Sequence, residues 1–183
     1  MSAPRYQAAF DRFASHLLPP AKDQIIELSA GRGTYTKQFL EKGYPILACG
    51  LLGELDVSED QRKRLIVSLK AAEDIPVPYR TCAGVFCCDA LAERPKQAVF
   101  VSLRLFADWL IPGGICYGLF YEGEGVKRIT EQGIQGLKER LLVYYQPEEL
   151  DDLIGSASLE TVDAWRDEEQ QRRVLHVIMR RPL

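Results

Sequence analysis

Apolar residues recur along the chain at two alternating spacings, one helical and one extended. Between residues 5 and 18, Ala9, Phe10, Phe13, Leu17 and Leu18 fall on one helical face, and Pro19-Pro20 ends that helix. Residues 24–28 form a short apolar strand, followed by the turn Ser29-Ala30-Gly31-Arg32-Gly33. The spacing predicts a helix over 34–42 that turns Phe39 and Leu40 inward and is capped by Gly43. A second strand follows at 45–49, then a loop or short helix over 51–63. Residues 64–69 read as a third strand, with a helix open as the alternative for so short an apolar run.

Residues 83–88 (AGVFCC) are wholly apolar, as expected of a central strand covered on both faces. Val99, Leu103, Phe106 and Leu110 mark an amphipathic helix over 96–110. Pro112-Gly113-Gly114 breaks it before a fifth strand at 115–120. The stretch 126–139 reads as a Gly-bearing loop. Pro147 then opens a short helix with Glu148 and Glu149 in its first turn. Strands at 159–165 and 174–179 finish the chain, joined by a charged turn over 166–173. Five strand–helix alternations and an antiparallel pair predict an α/β fold. Its sheet is Rossmann-like and mostly parallel, with a C-terminal antiparallel hairpin and helices on both faces.

Composition narrows this picture. A chain of 183 residues, 46% of them hydrophobic, suits one domain spanning 1–183 with a self-sufficient core. A net charge of -3 and a pI near 5.5 argue against a nucleic-acid reader that works through a broad basic face. Apolar runs fall short of the roughly 20 residues that span a bilayer, and the first 20 residues carry no signal-peptide core. The expectation is a cytoplasmic protein with neither membrane nor nucleic acid among its partners. Cys49, Cys82, Cys87, Cys88 and Cys116 sit among apolar neighbours without metal-ligand spacing, so buried reduced thiols are expected and no metal site.

The segment Ile26 to Thr34 carries the most chemical information. Glu27 lies near the end of a buried strand, and Gly31 and Gly33 lead straight into a helix. In open α/β sheets ligands bind beyond the carboxyl ends of the strands, where glycines let a ligand approach the backbone. A tight turn that needs glycine for conformation alone is the other reading of the same pair.

The wider context resembles the class I S-adenosylmethionine-dependent methyltransferases, most nearly small bacterial members of unassigned substrate. The resemblance runs through Leu18-Pro19-Pro20, the Glu27 to Gly33 turn, KQFLEKGY at 37–44 and the fourth strand with Leu91 and Pro95. It continues through Leu110-Ile111-Pro112-Gly113-Gly114, FYEGEG at 120–125 and YYQPEEL at 144–150. It implies S-adenosylmethionine as cofactor and a small-molecule methyl acceptor. Ser29, Ala30, Gly31 and Gly33 would underlie the methionine and ribose, Glu27 would lie near the amino group, and Cys87, Cys88 and Asp89 would line the sulfonium side. Asp89, Tyr121 and Glu122 would face the acceptor.

Several positions depart from the family pattern. Ser29 replaces the first glycine of the turn, which fits if its φ is ordinary. Gly50 stands where the second strand usually delivers an acid to the ribose hydroxyls, and Glu54 is either its substitute or a solvated loop acid. Ala83 replaces a common Asp, and Glu93 stands where close relatives often carry His. Glu73 or Asp74 reaches the adenine amino group on one reading and is ordinary polar loop on the other. Tyr6 is the remaining candidate for an N-terminal lid, its alternative being a surface tyrosine near a frayed end.

Methyl transfer is an in-line displacement governed by positioning, so no catalytic triad is expected and no residue is assigned to catalysis. Glu122 and Glu124 either hold a cationic acceptor or keep a loop solvated. His176 reads as a hydrogen-bonded structural histidine, and Trp109 and Trp165 as packing residues. Two further readings stay open: a degenerate methyltransferase-fold protein serving as a binding or interaction module, and a nicotinamide Rossmann oxidoreductase. Thr36 weakens the latter by removing the third glycine of that fingerprint.

Overall fold

The computed structural model describes residues 5–20, 23–88, 90–133, 136–169 and 171–183. Five parallel strands run in the order β3 (Leu65–Ser68), β2 (Ile46–Cys49), β1 (Gln24–Leu28), β4 (Cys82–Cys87) and β5 (Leu110–Glu122). β9 (Arg172–Arg180) lies antiparallel along β5, pairing Ile115 with Arg180 through Tyr121 with Val174, and β8 (Glu160–Glu169) pairs with β9. This is the expected α/β arrangement, with the central strands where the apolar runs placed them.

Alternation along the strands divides the core between two faces. Ile25, Phe86, Ile115 and Tyr117 point towards α1 (Gln7–His16) and α2 (Thr34–Glu41), meeting Phe10, Phe13 and Phe39. Ile26, Val85, Cys87 and Cys116 point towards α4 (Lys96–Trp109) and α5 (Pro147–Ser156), meeting Val99, Leu103, Phe106 and Ile154. Phe86 anchors the first face: its ring centroid lies 5.0 Å from Tyr117, 5.2 Å from Phe13 and 5.4 Å from Tyr35. Burying each such ring contributes roughly 2–3 kcal/mol. The five cysteines are free thiols, all buried except the half-buried Cys88.

Three sequence expectations are corrected. The stretch 126–139 is not a loop but most of a hairpin, β6 (Val126–Gly133) with β7 (Gly136–Tyr145). It attaches because β5 is much longer than β4: Tyr121 and Glu122 continue beyond the end of β4 and pair parallel with Tyr144 and Tyr145. The last hairpin is also longer than expected, its ladder running out to Glu169 opposite Arg172, so the charged residues 166–173 are mostly strand. Pro112-Gly113-Gly114 does not separate α4 from β5. It forms an irregularity inside β5, where Cys82 pairs with Leu110 and Gly84 with Ile115. The open 51–63 segment contains α3 (Glu59–Lys63), begun by a capping box between Ser58 and Gln61. No described helix is long and apolar enough to cross a membrane.

Candidate functional site

The glycine turn leaves β1 at the carboxyl rim of the sheet and is stitched to the end of β2. Ala30 N–H donates to the Cys49 carbonyl (2.9 Å), Gly31 N–H to that of Gly50 (3.2 Å), and Leu52 N–H to that of Gly31 (2.6 Å). These bonds fix the turn as a rim of backbone. Gly31 and Gly50 both have positive φ, 55° and 72°. A Cβ at either would meet nothing closer than 3.8 Å, so both face open space. Gly33 is different. It is buried, and a Cβ there would lie 2.7 Å from side-chain methyls of Leu51 and Leu55. Its glycine is required by packing and by a φ of 74°, so close approach of a ligand is a reason for Gly31 and not for Gly33.

Ser29 does not have the ordinary φ expected of it. At 58° it takes the left-handed conformation in which the family's glycine is at ease, at a cost of roughly 1–2 kcal/mol. Ser29 is exposed, and Ala30 is buried with Ala48 and Leu51.

Beside this rim lies a cavity of about 210 Å³ between the sheet and α4. Leu28, Cys49 and Cys87 form its strand wall, and Ser102 and Phe106 its helix wall. Ser29 and Gly50 edge it, while Lys70, Glu73 and Arg94 line it from the loops. Arg94 is its polar centre: Nη1 meets Glu73 Oε1 at 2.5 Å and donates to Ser102 Oγ at 2.5 Å. The hydrogen bond from Arg94 holds the Glu73 carboxyl below the usual carboxylate range.

On the opposite face of the sheet, Glu27 is 2% exposed and accepts a short hydrogen bond from the Thr36 hydroxyl. Burial pushes its carboxyl up to about 7, with the Thr36 bond opposing the rise. A carboxylate kept this dry by its own fold is a strong acceptor for a cationic group brought to it. Nearby, Tyr35 stacks on Phe10 with centroids 5.5 Å apart, and its hydroxyl accepts from the Tyr6 N–H at 2.8 Å. Burial pushes the Tyr35 phenol up to about 12. Tyr6 is therefore not a surface residue at a frayed end: its side chain is buried against the α1 face of the core.

A third group gathers above the end of β5. Arg140, on β7, donates from Nε to Glu93 Oε1 at 2.8 Å and from Nη2 to the Tyr121 hydroxyl at 3.3 Å. Tyr121 is buried, and burial raises its phenol above the ordinary value. This constellation joins the loop after β4, the tip of β5 and the hairpin. By resemblance Arg140 and Tyr144 stand where relatives place substrate-facing groups, but reading the hairpin as a loop hid which groups Arg140 meets, although the apolar run Leu141-Leu142-Val143 was a usable strand signal.

The remaining site candidates scatter. Glu54 is exposed and does not line the cavity; the side chain that turns inward there is Leu55, so Glu54 does not stand in for the acid absent at Gly50. Asp74 is exposed and likewise outside the lining. Cys87 lines the cavity and Cys88 does not; Asp89 lies outside the described residues. Glu122 and Glu124 do not act together. Arg166 Nε donates to both oxygens of Glu122, at 3.1 and 3.0 Å, while Glu124 accepts from Gln146 at 3.0 Å. His176 is buried, its Nδ1 2.8 Å from the Tyr117 hydroxyl and its ring stacked 4.9 Å from Trp165. Trp109 is buried in the core beside Phe106.

No protein-family model matches the chain, and no curated protein does. Solved structures do. A 1,6-didemethyltoxoflavin-N1-methyltransferase from Burkholderia thailandensis, bound to 1,6-didemethyltoxoflavin and S-adenosylhomocysteine, superposes with a TM-score of 0.75 at 20% identity. The match covers 97% of this chain and 78% of that one. The CcbJ methyltransferase from Streptomyces caelestis gives 0.69 at 16% identity over 99% and 91%. A SAM-dependent methyltransferase from Methanosarcina mazei gives 0.72 at 12% identity over 94% and 97%. With its parallel sheet, antiparallel β9 and carboxyl-rim glycine turn, the chain has the fold of the class I S-adenosylmethionine-dependent methyltransferases.

Proposed function

We propose that this chain is a single-domain, cytoplasmic enzyme that transfers a methyl group from S-adenosylmethionine to a small-molecule acceptor. One observation carries the reading: the cavity and the open glycine rim lie together at the carboxyl ends of β1, β2 and β4, with the buried Glu27 across the sheet. The residues present fit that cofactor in three ways. Gly31 and Gly50 leave open the space a Cβ would occupy, Glu27 is a desolvated acceptor for an ammonium group, and the apolar cavity walls suit a purine.

When bound, the cofactor supplies an electrophilic methyl group on its sulfonium. Glu27 would hold the amino group, the Ser29–Gly31 backbone the adjoining chain, and Leu28, Cys49, Cys87 and Phe106 the adenosine. Glu73 would face the adenine amino group. Tyr121, Arg140 and Glu93 would orient the acceptor, with Arg140 keeping the hairpin closed against the loop after β4. Positioning of this kind supplies most of what a displacement requires of its enzyme. The free thiols suit a reducing compartment.

Calorimetry with S-adenosylhomocysteine tests the reading: saturable binding at or below millimolar concentration is expected, and its absence overturns it. A second reading, an interaction module that keeps the fold without the cofactor, draws support from Gly50, which carries no acid, and from Glu54, which does not line the cavity. Gly50→Asp discriminates. Asp tolerates a φ of 72° better than most residues, and a restored pair of charge-assisted bonds strengthens binding tenfold or more if a ribose site survives. Unchanged behaviour favours the module.

A further inference from the structure

Where an unmodified ribose calls for an acid at the end of β2, the described side chains beside that end offer cations. Nucleoside sites at the end of a second parallel strand place an acid on the ribose hydroxyls, and sites for a phosphorylated ribose put a cation there instead. Here the strand ends in Gly50, and its neighbour supplies the charge. Gly50 N–H donates to the Ser68 carbonyl at 2.8 Å, so the two strand ends are adjacent. Lys70 stands two residues beyond Ser68, its N–H donating to Ser68 Oγ at 3.2 Å, and it lines the cavity. No carboxylate among the described residues lies within ion-pair distance of the Lys70 ammonium.

Arg94 adds a second cation. Among the described residues its acceptors, Glu73 and Ser102, both bind Nη1, which leaves Nε and Nη2 for another partner. Among the described residues Glu73 is the one acid lining the cavity, so their side chains set two cations against one anion. Phosphate recognition uses these groups: a guanidinium fork with open donors and a lysine point charge.

Building on the nucleoside site proposed above, we infer that this cavity prefers an adenine nucleotide phosphorylated on its ribose, at the 2′ or 3′ oxygen, to the unphosphorylated nucleoside. Lys70 and the open edge of Arg94 take the phosphate, and Gly50 leaves room and no repelling carboxylate. Such a nucleotide competes with S-adenosylmethionine, which makes it a regulatory ligand of the same site.

The test is calorimetry of the full chain with adenosine 3′-monophosphate, adenosine 2′-monophosphate, adenosine 5′-monophosphate, adenosine and S-adenosylhomocysteine, at two salt concentrations. The expected result is at least tenfold tighter binding of the 2′- or 3′-monophosphate than of adenosine. That gain shrinks with salt, falls below threefold in Lys70→Gln and Arg94→Gln, and disappears in Gly50→Asp. Lys70→Gln is at an exposed position, so it keeps the test open should Arg94→Gln fold poorly. Equal gains from the 5′-monophosphate, or a preference unchanged in the variants, overturn the inference. S-adenosylhomocysteine binding without any phosphate preference overturns the inference alone. A bound 2′- or 3′-monophosphate with no S-adenosylhomocysteine binding upholds the phosphate preference and overturns both methyl transfer and the competition with S-adenosylmethionine. Binding of neither class overturns both.

Discussion

Replacing Glu27 by Gln removes the ionisable group while keeping an oxygen that accepts from the Thr36 hydroxyl. Glu27 has a carboxyl raised from 4.5 to about 7 by burial. Between those values the unfolded chain has released its proton and the folded chain still holds it. The folded state therefore binds more protons, and stability falls as pH rises. At about 1.36 kcal/mol for each pH unit of difference, the loss is about 3 kcal/mol, complete by about pH 8 and absent below about pH 4.5. The amide carries a fixed cost of its own for its NH2 group, but that cost does not change with pH. The difference in unfolding free energy, variant minus parent, should therefore grow by about 3 kcal/mol between pH 4.5 and pH 8. Urea denaturation of both proteins at four pH values measures it. A difference flat to within about 1 kcal/mol would refute the claim that Glu27 is a desolvated carboxylate held for a cationic partner.

Ser29→Gly relieves the left-handed φ of 58° and should raise stability by up to about 1 kcal/mol, read as a shift in the urea midpoint. Gly33→Ala should cost about 2 kcal/mol, because its Cβ meets Leu51 and Leu55 methyls at a φ of 74°; Gly31→Ala, with open space around it, should cost less by thermal melting. Phe86→Ala should cost about 3–5 kcal/mol by the same assay, since its ring joins α1, α2 and β5 at the centre of one core face.

The order of elements was legible because it is written in local periodicity. The wholly apolar β4, the helical spacing of Val99, Leu103 and Phe106, and the break after Leu28 all lie within a turn or two of one another. The outer strand of the β6–β7 hairpin was illegible for the same reason. β6 is the outer strand, beyond β7, and its residues between Val126 and Thr130 are mostly exposed, so no continuous buried face imposes an apolar alternation there. The glycine turn was recognised, but the separate reasons for its glycines were not. Gly33 owes its identity to Leu51 and Leu55, which lie on a different loop. Arg140, Glu93 and Tyr121 meet across separations of 47 and 19 residues, and no spacing rule connects such positions.

By itself the sequence determined an α/β sheet with a glycine turn at its carboxyl rim, because side-chain period and backbone sterics act between near neighbours. The tertiary structure decided what surrounds each charge. It buried Glu27 and raised its carboxyl, gave Glu122 to Arg166, set Arg94 between Glu73 and Ser102, and left Glu54 outside the cavity. The energy of a charge depends on the water it loses and the partners it gains, and both are fixed only when distant segments pack together.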